Sequence, residues 1–115
     1  MDTPELSTEQ AAAAVAAKTA PKITKESITA RIAGASYLQH NTTTICLIVM
    51  ENGFEVDGKA GVASPENFDA EIGKRIAYDD AFRKIWAFEG YLLKERLYQQ
   101  AKADIEDKRP APAAA

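Results

Sequence analysis

SPENFDAEIGKRIAYDDAFRKIWAFEGYLLKERLYQQAK, residues 64–102, decides the fold. It opens on a helix start signal: Ser64 suits an N-cap, and Pro65 suits the first helical position, where its missing N–H costs nothing. Glu66, Asp69 and Glu71 complement the positive end of the helix dipole. Phe68, Ile72, Ile76, Phe82, Trp86, Leu93 and Leu97 then recur at steps of three, four and seven, the period of one helical face. Tyr78, Ile85 and Leu92 widen that stripe to roughly half the circumference, more than a surface helix of a small monomer buries. Gly73 and Tyr78-Asp79-Asp80 are the points where so long a rod could break. Unbroken, at 1.5 Å per residue, it would outreach a compact domain of this size and pack against copies of itself.

The bulk properties bound the rest. The chain has 115 residues, room for one domain, with a net charge of −3. Nothing in that balance marks a phosphate-neutralising surface, and a nucleic-acid partner is not expected. One cysteine leaves no intramolecular disulfide and fits a reducing compartment. No apolar run approaches the ~20 residues that span a bilayer, and the acidic start, Asp2 and Glu5, does not resemble a signal peptide. The expectation is a soluble cytoplasmic protein without a membrane partner.

Working outward, residues 1–22 read as a flexible alanine-rich arm, because Ala11 to Ala17, broken only by Val15, carries no apolar stripe to dock. Residues 106–115 read as a Pro/Ala tail, leaving a single α+β domain over 23–105. Thr24 caps a short helix from Lys25 to about Ala33, ended by Gly34. Tyr37 to Asn41 reads as a polar connection. Thr42 to Glu51 is the clearest strand, and Asn52-Gly53 directly after it predicts a two-residue hairpin turn. That turn sets Glu51 opposite Phe54, Val49 opposite Val56 and Leu47 opposite Gly58. Ile45, Leu47, Val49, Phe54 and Val56 then form the buried face; Cys46, Ile48 and Met50 lie on the other beside Glu55, Asp57 and Lys59. The predicted fold is a short N-terminal helix, a β-hairpin and one long C-terminal helix, continuous or broken.

Catalytic chemistry is hard to find. His40 has no second His or Cys at metal-ligand spacing. Cys46 lies among apolar strand residues without a base beside it. Gly58-Lys59-Ala60-Gly61 lacks the first glycine and the Gly-Lys-Ser/Thr ending of a phosphate loop. Asp79 and Asp80 point about 100° apart on a helix, and Ser36 and Ser64 have no triad context. No enzyme, cofactor or metal is expected. Three features suit binding instead: charges within the apolar arc (Arg75, Asp79, Glu89), Tyr91 and Tyr98 seven apart, and the polar run Tyr37, His40 to Thr44. Each has a plainer reading as rim, surface or strand-entry residues.

Thr42-Thr43-Thr44-Ile45-Cys46, then Asn52-Gly53-Phe54-Glu55-Val56-x-Gly58, then Pro65-x-Asn67-Phe68-Asp69-Ala70-Glu71-Ile72-Gly73-x-x-Ile76-Ala77-Tyr78, then Lys84-Ile85-Trp86-x-x-Glu89-Gly90-Tyr91-Leu92-Leu93, resembles a small tailed-phage protein family. That family is named after gene product forty-nine and gene sixty-six of its type phages. The likeness covers about residues 23–98, with Gly61 a minor departure. It implies a bacteriophage accessory protein of unknown function acting in the infected bacterial cytoplasm, and it carries over no catalytic residue.

Two functions follow as expectations. The first is a non-enzymatic oligomeric binder that counteracts a host defence by sequestering a nucleotide-derived immune signal, of cyclic nucleotide type. Arg75, Arg83 and Lys84 would meet phosphates there, and Tyr78 or Trp86 a base. Ile48, Met50, Ile85, Gly90, Leu93 and Leu97 would form the subunit interface. Gly90 is placed there because glycine inside a stripe suits close backbone approach. The alternative is a protein-interaction module that binds a host protein, or a structural or regulatory phage component with no small ligand.

Overall fold

The computed structural model describes residues 3–108; the part of the expected C-terminal tail from 109 to 115 lies outside the described residues. The α+β architecture is the expected one: helices first, an antiparallel sheet, then one long helix. Helix α1 (Thr8–Ala16) is closed by a Ser7–Gln10 capping box and has no buried residue. Helix α2 (Lys25–Ala30) is capped by Thr24 with Ser27 and sends Ile28 into the core. It ends three residues before the expected Ala33, because Ile32 already begins a strand.

That strand is the main departure from the sequence reading. β1 (Ile32–His40) occupies the stretch expected as helix end and polar connection. It pairs antiparallel with β2 (Thr43–Met50), which pairs with β3 (Glu55–Gly61), giving the order β1-β2-β3. The β1 sequence, IAGASYLQH, is poor in branched residues, so its own propensity is weak. Ladder bonds to β2 hold it extended, through a tight turn at Asn41, whose φ is 53°.

The expected register is also corrected. Ile48 lies opposite Val56 and Cys46 opposite Gly58, so β2 is shifted by one residue against β3. Three residues, not two, make the loop. The Met50 amide donates to the Phe54 carbonyl at 2.8 Å, Gly53 takes φ 89°, and the Asn52 side chain accepts from the Phe54 amide. A three-residue loop with glycine in the left-handed region is a standard hairpin solution. A shift of one residue exchanges the faces of a strand. Cys46, Ile48 and Met50 are therefore buried, while Ile45 is exposed and Leu47 and Val49 are half-buried.

Helix α3 (Ala70–Asp107) is one continuous rod of 38 residues, about 57 Å long at 1.5 Å per residue. It breaks at neither Gly73 nor Asp79. Its start is also corrected. Pro65–Asn67 form a separate 3-10 turn, the Ser64 hydroxyl donates to Glu66, and Asp69 is the N-cap, accepting from the amides of Glu71 and Ile72. The Cα radius of gyration is 20.9 Å, against about 13 Å for a compact chain of this length, because the rod projects.

The face that α3 turns to the sheet is centred on small residues and takes in only part of the large apolar stripe. Ala77, Ala81, Ile85 and Glu89, four residues apart, are its buried residues, packed with Ile28, Cys46, Ile48, Met50 and Val56. Ile72, Ile76, Trp86 and Leu97 are exposed, and Phe82 and Leu93 are half-buried. Small residues face the sheet because the backbones touch there: Gly58 lies directly against Ala77 and Ala81.

Candidate functional site

Helical spacing brings two of the expected ligand residues together. Arg75 and Tyr78 are one turn apart on the first third of α3, and the Arg75 guanidinium sits 5.2 Å from the centre of the Tyr78 ring. β1 adds what sequence reading did not assign to this cluster. Tyr37 stands opposite, with the Lys74 ammonium 5.8 Å from its ring centre. Tyr37, Glu71, Lys74, Arg75 and Tyr78 line an open cleft of about 490 Å³ between the start of α3 and the inner face of β1. Two cations each lie over an aromatic face, a favourable placement for positive charge.

The charges of this cleft are partly answered from within. Asp79 takes a two-pronged ion pair from Arg75, which holds its carboxyl below the usual aspartate range and raises the guanidinium further. Glu71 is 3.6 Å from Lys74. Both pairs are solvent-exposed, so each is weak and screened by salt. Burial, more than its neighbours, pushes the Tyr37 hydroxyl above the ordinary tyrosine value. The cleft therefore presents cations and ring faces.

The other expected ligand residues lie elsewhere on α3. Lys84 donates to the Asp57 carbonyl at 2.8 Å and lies 3.7 Å from Asp80, and Asp80 accepts from the Lys59 amide at 3.1 Å. Together they occupy outward-facing backbone groups of the β3 edge, so Lys84 is engaged in the fold. The exposed Arg83 side chain pairs with Asp80 at 2.9 Å. Trp86 is exposed and lies more than two turns beyond Tyr78.

Of the expected interface residues, Ile48, Met50 and Ile85 are buried in the core of a single copy and offer nothing to a partner. Leu93 and Leu97 border a groove with Pro21, Lys22, Ile23 and Ser27. At Gly90 a Cβ would meet nothing within 4 Å, so no approach inside one copy explains the glycine. Glu89, noted for its place in the apolar arc, is buried and receives Arg31 at 2.5 Å. Arg31 also reaches Glu51 at 2.7 Å, tying α2, the hairpin loop and α3 together.

A second cleft lies beside that pair. Met50, Phe54, Val56, Ile85, Phe88 and Leu92 line about 240 Å³ of mostly apolar space, with Phe54 and Phe88 edge to face at 5.1 Å. Among the described residues no group of three or more His, Cys, Asp or Glu could hold a metal ion, and no buried side-chain polar atom lacks a partner. No helix there is long and apolar enough to cross a membrane. His40 is an exposed strand end, and Tyr91 and Tyr98 are exposed on the rod.

Compared with known proteins, residues 23–97 match the model of one family, described as a phage protein (N4 Gp49/phage Sf6 gene 66) family. No curated protein and no solved structure matches the chain. The matched span begins just before α2 and ends within α3.

Proposed function

The chain belongs to the phage protein (N4 Gp49/phage Sf6 gene 66) family, and from that premise we propose that it is a non-enzymatic, oligomeric accessory protein of the infected bacterial cytoplasm. It counteracts a host defence by sequestering a nucleotide-derived signal. The observation that carries this reading is the cleft of Tyr37, Lys74, Arg75 and Tyr78. Guanidinium and ammonium groups suit phosphate oxygens, and tyrosine faces suit a purine or pyrimidine ring. The cleft is open on one copy, and a second copy supplies the wall that excludes water.

Binding without turnover is supported by the residue types present. The cleft holds cations, rings and one carboxylate, with no nucleophile beside a base. Titration calorimetry against cyclic dinucleotides, cyclic trinucleotides and cyclic ADP-ribose isomers tests it. Saturable heat, lost in Arg75→Ala and Tyr78→Ala with unchanged circular dichroism, supports sequestration. An intact oligomer that gives no heat with any of them overturns it.

The apolar cleft of Met50, Phe54, Phe88 and Leu92 favours a second reading, a module that grips a host protein. A host protein held at one-to-one stoichiometry and released by Phe88→Asp, but not by Arg75→Ala, would support that module over sequestration.

A further inference from the structure

Ile72, Ile76, Asp79, Arg83, Trp86 and Gly90 follow one another at alternating steps of four and three. That is the 3.5-residue repeat of a coiled-coil seam. On α3 this line is solvent-exposed, and at its start Ile72 and Ile76 also border a small cleft with Ala60, Gly61 and Val62 at the end of β3. Ile72 is 58%, Ile76 51% and Trp86 41% exposed, and between them lie Asp79 and Arg83, of opposite charge, each with an exposed side chain that is also paired along its own helix, to Arg75 and Asp80. Gly90 lies well inside the helix, where glycine costs about 1 kcal/mol against alanine. A Cβ there would enter open space, so nothing within one chain requires the glycine.

We propose that two copies of this chain pack their α3 helices antiparallel along this line, in the register that sets Asp79 of each against Arg83 of the other. Two-fold symmetry repeats every contact, so if one residue faces another, the second faces the first. That single register also sets Ile76 against Trp86 and Ile72 against Gly90. Opposite charges meet at the centre, a large ring meets a branched side chain, and an isoleucine enters the space the glycine leaves. Competing arrangements lose one of these matches. A parallel in-register pair opposes Asp79 to Asp79 and Arg83 to Arg83. Sliding the antiparallel pair by one heptad sets Asp79 against Gly90, where it meets no cation of the other copy. The seam runs about 27 Å along the rod and leaves Leu93 and Leu97 to the groove beside Pro21 and Ile23.

This seam rests on the oligomeric part of the function proposed above, and its test separates the two. Light scattering on the eluting full chain gives its molar mass, and Gly90→Leu fills the space reserved for Ile72. The expected result is a wild-type mass of two chains or a multiple, a mass halved in Gly90→Leu, and an undiminished helical signal, since a Cβ at position 90 meets nothing within 4 Å inside one copy. A mixture of Ile76→Cys and Trp86→Cys chains forms a disulfide-linked pair on oxidation, which neither forms alone. A single-chain mass at all concentrations overturns both the seam and the oligomeric reading. An oligomer that survives Gly90→Leu and gives no 76–86 cross-link overturns the seam and leaves that reading standing.

Discussion

Gly58 of β3 and Ala81 of α3 meet backbone to backbone: a Cβ on Gly58 would stand 2.3 Å from the Ala81 amide nitrogen and 2.8 Å from its Cα. No side-chain rotation relieves such a contact. Gly58→Ala must push the helix off the sheet, and the expected loss is about 3 kcal/mol or more, at or beyond the upper end of ordinary overpacking. Urea unfolding of the two proteins measures it. A loss below about 1 kcal/mol would show that the rod is not seated as described.

Arg31, its side chain one-third exposed, pairs at 2.5 Å with the buried carboxylate of Glu89, which is only 6% exposed. Removing the cation strands a buried carboxylate, so Arg31→Met should cost about 3 kcal/mol. Replacing both, as Arg31→Met with Glu89→Leu, should recover most of that loss, because an apolar pair of similar volume needs no compensation. A double-mutant cycle by chemical denaturation decides it; simple additivity of the two single losses would contradict the pairing.

Asp80 links stability to acidity. The Lys59 amide, followed by Arg83, holds its carboxyl below the usual aspartate range. A carboxyl with a lower folded than unfolded pKa stabilises the fold above the unfolded value. That contribution disappears as pH falls through the folded value. Wild-type stability should therefore decline from about pH 4 downward, and Asp80→Asn should show a shallower acid limb. Denaturation midpoints between about pH 2 and pH 6 test the sign. Parallel limbs would remove Asp80 from the account.

Cys46 is fully buried on the inner face of β2, and burial pushes its thiol up from the ordinary cysteine value. The thiolate reacts, so labelling must wait for opening of the sheet. For a domain of ordinary stability the folded protein should label at least about a thousandfold more slowly than the unfolded chain. Rapid native-state labelling would mean that β2 faces the other way, as the two-residue turn would have had it.

Much of this architecture is written in local chemistry. The Thr24 cap, the branched run of β2 and the apolar recurrence from Ile72 to Leu97 each specify an element through short-range preferences. Within the candidate cleft, Arg75 and Tyr78 are legible as neighbours because three residues make nearly one helical turn. Lys74 follows from its four-residue spacing to Tyr78, although the sequence reading did not use it.

What folding in three dimensions settled is how those elements meet. Periodicity tells which residues share a face of α3 but not which face meets the sheet. The alanines won because Gly58 lets two backbones touch, leaving Ile72, Ile76, Trp86 and Leu97 of the larger stripe outside. β1 has little strand propensity of its own and exists through its ladder to β2, so Tyr37 could not be assigned to the cleft beforehand. The hairpin register turned on one residue of loop length, a difference the Asn52-Gly53 pair does not encode, and that residue decided which side of β2 became core.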